Sequence, residues 1–143
     1  MKIKIAKNDS EIIRCFETMS QLRPHLKKEN FLSQIRKQEK AGYLMAYAED
    51  NDKVVSVAGF RLSECLAFGK FAFIDDLITN ENERSKGYGE KLFDWIKDFA
   101  IKNNCKELHL ESGVQRFSAH RFYFRKRMDI SCHHFSLILN NKH

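Results

Sequence analysis

The stretch that most constrains this chain is Arg84-Ser85-Lys86-Gly87-Tyr88-Gly89, because the hydrophobic period changes across it. Before it, Phe71 to Thr79 reads as a strand. After it, Tyr88, Leu92, Trp95, Ile96 and Phe99 fall on one face of a helix that runs to about Asn103. A strand, a polar turn, two glycines and a helix start together make an anion cradle. The first N–H groups of a helix have no partner within it and lie at the positive end of its dipole. Glycine lets backbone amides approach an anion that a Cβ would hold off. Arg84 and Lys86 add positive charge at the same mouth. A short Gly-x-Gly by itself only caps many helices. Between this strand and this helix, with two cations beside it, it points to a phosphate-bearing ligand.

Two common phosphate loops fail on spacing. A P-loop needs Gly-x-x-x-x-Gly-Lys-Ser/Thr, which the chain lacks. A dinucleotide fingerprint needs a third glycine three residues beyond Gly89, where Leu92 stands.

At 143 residues the chain reads as one domain over residues 1–143, and 43% hydrophobic content suits a folded core. No apolar run approaches a membrane span, and Met1 to Lys7 alternates like a strand instead of resembling a signal peptide, so a cytoplasmic location with no membrane partner is expected. Cys15, Cys65, Cys105 and Cys132 are scattered without a Cys-x-x-Cys pair, which suits reduced thiols better than a disulfide frame or zinc site, and no metal is expected. The net charge of +6 fits an acidic cofactor or mere solubility as well as nucleic acid.

Residues 2–6 read as a first strand. Ser10 reads as the N-cap of a helix with Ile12, Ile13, Phe16 and Met19 on its apolar side, and Pro24 breaks that pattern. A second helix is expected from about Asn30 to Lys40, ended by Gly42. Tyr43 to Glu49 and Val54 to Arg61 form a hairpin around Asp50–Lys53. Leu62 to Gly69 reads equally as loop or strand end. After the strand 70–79, the glycine loop and its helix, Leu108 and Leu110 mark a strand, 116–127 a helix and Ile130 to Leu139 a last strand. The order is β-α-α-β-β-β-α-β-α-β: an α/β (α+β) single domain, its mixed, mostly antiparallel sheet flanked by helices.

Arg84-Ser85-Lys86-Gly87-Tyr88-Gly89 resembles the pyrophosphate loop of the GNAT acetyltransferase superfamily, Arg/Gln-x-x-Gly-x-Gly/Ala. Leu77-Ile78-Thr79 stands where that superfamily ends the preceding strand with Leu-aromatic-Val. Ala119, Phe122 and Tyr123 match its closing signature, a small residue before a Phe-Tyr pair. Arg116 replaces a usual Asn, Arg127 a usual Gly and Thr79 the Val. The resemblance implies an acetyl-CoA-dependent N-acetyltransferase of GNAT fold, with coenzyme A held by Leu77, Ile78, Thr79, Arg84, Ser85, Lys86, Gly87, Tyr88, Gly89 and Arg116. It implies a small-molecule amine or a protein lysine as acceptor, with Arg23 and His25 near it, and a monomer or homodimer. A GNAT-fold module that binds coenzyme A without turnover, or a basic RNA-binding domain using the 116–127 helix, are the alternatives; nucleic acid is the less favoured.

Acetyl transfer to a lysine-like amine requires a neutral nitrogen, and freeing it at pH 7.4 costs roughly 4 kcal/mol from a pKa near 10.4. The reaction then needs a proton acceptor, and an acid for the departing thiolate. Ile74-Asp75-Asp76-Leu77-Ile78-Thr79 resembles the Glu-Asp-Ile/Leu-Tyr-Val of polyamine-type members, which assigns Asp75 as base or amine anchor and Asp76 as its reserve. Successive strand residues point to opposite faces, so at most one of the two is expected to face the cleft. Tyr123 aligns with the family's general acid; as a phenol it is protonated at neutral pH. The basic run from Arg116 through Arg121 and Arg125 to Arg127 could bind the coenzyme's ribose phosphate, bind RNA or face water. Cys132-His133-His134 makes a poor chelate, because neighbours on a strand diverge.

Overall fold

A five-stranded sheet of order β1-β2-β3-β4-β5 organises the computed structural model, which describes residues 1–140. The strands are β1 (Lys2–Ile5), β2 (Tyr43–Asp50), β3 (Lys53–Cys65), β4 (Gly69–Thr79) and β5 (Glu107–Leu110), and the first three pairings are antiparallel. The chain divides into a unit spanning Met1–His109 and a second one from Leu110 on.

The β2–β3 hairpin turns where expected. Asn51 and Asp52 both take left-handed backbone, at φ 51° and 62°, which matches the twist of the flanking strands. The segment that read equally as loop or strand end is resolved: β3 continues to Cys65, and β4 begins at Gly69 after a tight turn.

Between β1 and β2 lie α1 (Asp9–Arg14), α2 (Phe16–Leu22) and α3 (Lys28–Glu39). The N-cap of α1 is Asn8, not Ser10, which lies inside the helix. Asn8 Oδ1 accepts from the Glu11 N–H at 2.8 Å, and Glu11 Oε1 accepts from the Asn8 N–H at 3.0 Å, a reciprocal arrangement Ser10 could not make. The expected single helix is broken at Cys15, and Ile13 points outward, exposed. Cys15 itself is buried, and burial pushes its thiol up to about 12.

Tyr43, Met45 and Tyr47 alternate onto one face of β2 and join Ile12, Cys15, Met19, Phe31 and Ile35 in one buried cluster. On the opposite face, α4 (Tyr88–Lys102) packs Leu92, Phe93 and Ile96, and the Phe60 and Phe99 rings meet edge to face at 5.5 Å. Burying the four large side chains Leu92, Phe93, Ile96 and Phe60 is worth on the order of 1.5–3 kcal/mol each, which anchors the helix whose first turn closes the glycine loop.

In the second unit, α5 (Phe117–Arg125) ends on Arg127, at φ 64°. The Arg127 and Met128 N–H groups donate to Phe124 O and Tyr123 O at 2.9 and 3.0 Å, a left-handed helix stop of the kind glycine usually makes. The expected last strand, Ile130 to Leu139, does not form. Residues 130–139 enter no ladder, and Phe135, Leu137 and Leu139 are 91%, 82% and 89% exposed. Alternation supplies a pattern, but a strand also needs a paired edge. No helix among the described residues is long and apolar enough to cross a membrane.

Candidate functional site

β4 leads into the glycine loop through a 3-10 turn, Glu81–Glu83, capped by Asn80. Ser85 and Gly87 both take left-handed backbone, φ 67° and 84°, with Lys86 between them, and Gly87 is the N-cap of α4. Alternation of this kind turns successive amides toward one side, the geometry of an anion nest. Lys91 N–H bonds to Gly87 O at 3.1 Å, so the first-turn amides before it have no partner within the helix. A Cβ built on Gly87 meets no protein atom within 4 Å, so the position opens onto free space. One built on Gly89 would lie 2.9 Å from Thr79 Oγ1, so the second glycine lets α4 start hard against the end of β4.

Thr79, the departure from the family's valine, has a local reason: its hydroxyl lies 3.3 Å from Ser56 Oγ, and Ser56 also donates to Ile78 O at 2.9 Å. Leu77 and Ile78 sit opposite Ala58 and Val57 in the ladder. Arg84, Ser85 and Lys86 are exposed on the loop, and Lys86 Nζ rests 2.7 Å from Glu83 Oε2. Tyr88 donates its hydroxyl to Asp50 Oδ2 at 2.6 Å, and that bond holds the Asp50 carboxyl below its usual range. Arg84 to Gly87 thus form an exposed loop between the end of β4 and the head of α4, with two cationic side chains on it.

Three residues before Thr79 the strand is irregular. Gly59 pairs with Asp76 and Phe60 with Ile74, so Asp75 is the extra residue of a β-bulge. Asp75 bonds to Arg61, which stands opposite Tyr43 in the ladder, while Asp76 bonds to Tyr43 itself. Both carboxylates therefore lie on the face that carries α1 to α3. The strict alternation expected from the sequence, with one carboxylate to each face, is undone by one inserted residue.

Arg61 Nε and Nη2 donate to Asp75 Oδ2 and Oδ1 at 2.7 and 2.9 Å. Arg23 Nε donates to Asp76 Oδ1 at 3.0 Å, and its Nη2 to Asp75 O at 2.9 Å, the carbonyl of the bulge. Tyr43 donates its hydroxyl to Asp76 Oδ2 at 2.9 Å. Burial first, and the Asp76 charge second, push the Tyr43 phenol well above its ordinary value, so it stays protonated and donates. Gly59 permits this contact, since a Cβ there would overlap Tyr43 Oη at 1.7 Å. Sequence reasoning missed Tyr43 and Arg61, although an isolated glycine within a strand pattern signals a bulge or close approach.

In the second unit, Tyr123 is half-buried beside the Phe122 ring, 5.6 Å away. Burial raises its phenol above the ordinary value and nearby Arg116, the N-cap of α5, opposes the shift. His134 Nδ1 lies 2.8 Å from Glu111 Oε2, and among the described residues no three His, Cys, Asp or Glu side chains gather as a metal site.

The profile of the Acetyltransferase (GNAT) family matches residues 9–128, from α1 past the end of α5. An uncharacterized N-acetyltransferase of Bacillus subtilis, YhdJ, is 34% identical over 112 residues, covering 78% of this chain and 79% of that protein. A putative acetyltransferase from Agrobacterium tumefaciens shares the fold at a TM-score of 0.83 and 22% identity, covering 96% of this chain and 99% of its own. A transcriptional regulator from Bacillus halodurans does so at 0.83 and 19%, over 96% and 99%. With a bulged β4 running into a left-handed glycine loop at the head of α4, and a family profile spanning most of its length, this chain belongs to the GNAT family of acetyltransferases.

Proposed function

We propose that the protein is an acetyl-CoA-dependent N-acetyltransferase that moves an acetyl group directly to a primary amine, on a small molecule or a protein lysine. The observation that carries this reading is the loop from Arg84 to Gly89, with Ser85 and Gly87 left-handed and the first-turn amides of α4 beyond them. Acetyl-CoA supplies the activated thioester. The loop amides, with Arg84 and Lys86, bind its pyrophosphate, each charge-assisted bond worth about 1.5–3 kcal/mol. Leu77 to Thr79 flank the coenzyme along the end of β4, and Arg116 meets its phosphates. The carboxylates of the bulge, Asp75 and Asp76, receive the amine, and Tyr123 gives a proton to the departing thiolate.

Calorimetric titration with acetyl-CoA tests the loop. The parent should bind, and a folded Gly87→Val variant should not, because the branched side chain enters the mouth of the loop and disfavours φ 84°. Equal affinity in both would remove the basis of the reading. A panel of small amines, polyamines and lysine peptides, followed by thiol release, then separates an enzyme from a module that only binds the coenzyme.

A further inference from the structure

Tyr43, Arg23 and the Asp75–Asp76 bulge form a polar cluster that the glycine loop does not explain. We propose that Asp76 is the carboxylate that takes the acceptor's proton, and that Tyr43 is its positioning residue. This rests on the transferase reading above and refines it.

The two carboxylates differ in how they are held. Asp75 is gripped at both oxygens by one guanidinium, at 2.7 and 2.9 Å, which ties its charge to a single fixed cation. Asp76 receives one bond per oxygen from different donors, the cation Arg23 on Oδ1 and the neutral phenol of Tyr43 on Oδ2. Each carboxylate oxygen can accept two hydrogen bonds, so both Asp76 oxygens keep capacity for an incoming N–H. The Asp76 side chain is also the less exposed, 15% against 29%, so an ammonium beside it is less screened by water.

Tyr43 fixes where that carboxylate points. Its ring is 3% exposed within the core shared by α1 to α3 and the sheet, and Gly59 leaves the space for its hydroxyl. Arg23 follows α2, so the cluster also ties the end of that helix to the bulge. An acceptor ammonium meeting Asp76 passes one N–H proton to a carboxylate oxygen and keeps the electron pair. That pair forms the C–N bond to the acetyl carbonyl as the C–S bond breaks; the thiolate leaves to be protonated, and the acetylated nitrogen gives up its second proton to water to become the neutral amide. The charged or titratable groups facing Asp76 are Arg23, Tyr43, Asp75 and Arg61, with the buried Cys15 thiol behind Tyr43.

Tyr43→Phe and Asp76→Asn, singly and together, test this in the full chain, by acetyl-CoA calorimetry and by thiol release against pH. Tyr43→Phe should keep the parent's acetyl-CoA affinity, lower kcat about tenfold or more, and move the acid limb of the pH–rate profile upward. Asp76→Asn should lose more, about 10²- to 10⁴-fold, and adding Tyr43→Phe to it should cost nothing further. An active parent whose profile overlays that of Tyr43→Phe, or losses that multiply in the double variant, would overturn the assignment while leaving the transferase reading intact. A parent that binds acetyl-CoA but acetylates no amine would sink both.

Discussion

Arg61 holds Asp75 through two parallel bonds, Nε to Oδ2 and Nη2 to Oδ1, while its guanidinium lies 5.1 Å from the centre of the Phe73 ring. Alternation from Phe73, which lies opposite Arg61, puts Asp75 on the face where Arg61 and Tyr43 stand, and the bulge then brings Asp76 to that same face. Arg61→Lys keeps the charge and loses the planar fork. The pair is 42% and 29% exposed, so solvent screening limits the cost to about 1 kcal/mol. Urea unfolding should show a lowered midpoint at unchanged slope. An unmoved midpoint would mean that the fork contributes nothing beyond its charge.

Gly59→Ala attacks the bulge from the other side. The new Cβ would sit 1.7 Å from Tyr43 Oη and 2.2 Å from its Cζ, and Tyr43 is buried, so the ring must leave its place or the strands must part. Overpacking of this kind costs typically 1–3 kcal/mol. Thermal unfolding should fall by several degrees, and the bond from Tyr43 to Asp76 should be lost with it. A variant as stable as the parent would show that β3 moves away without cost.

Much of this arrangement was legible in the sequence, and the exceptions share a cause. The hairpin at Asn51-Asp52, the helix with Phe31 and Ile35 on its inner face, and the glycine loop at the head of α4 are local, set by turn chemistry and period. The bulge at Asp75 is not local. It depends on which residue of β3 lies opposite, so alternation along β4 alone gave one carboxylate to each face. The strand expected at Ile130 to Leu139 is absent for a related reason, since alternation along a segment does not by itself supply a ladder partner. At α1 the error was one of competing caps. Ser10 and Asn8 both suit the N-cap, and Glu11, three residues after Asn8, decides between them.

Glu11 links that cap to pH. Its carboxyl is pushed down to about 2, first by the Asn8 N–H, then by the Lys7 N–H and the Lys4 ammonium 3.0 Å away. A folded value below the ordinary 4.5 means the stabilisation is full above that range and lost as pH falls toward about 2. Glu11→Gln still accepts hydrogen bonds but carries no charge. Denaturant titrations across pH should show the parent ahead of the variant at neutral pH, with the gap closing through this acid window. A gap that stays constant to the lowest pH would mean that the charge of Glu11 plays no part in the cap.

Tyr123 carries the last prediction. Burial raises its phenol, against the opposing pull of Arg116, so the hydroxyl remains protonated through neutral and mildly alkaline pH. If that proton goes to the leaving thiolate, Tyr123→Phe removes it while keeping the ring beside Phe122. Acetyl-CoA affinity and thermal stability should therefore change little, and kcat should fall about 10²- to 10⁴-fold. Alkaline pH should not restore the rate, because the missing group is an acid. Asp76→Asn should respond the opposite way, recovering in part as the acceptor amine loses its own proton to solvent. Near-normal turnover in Tyr123→Phe would assign protonation of the thiolate to water or another donor, and leave Tyr123 as an aromatic packing residue of α5.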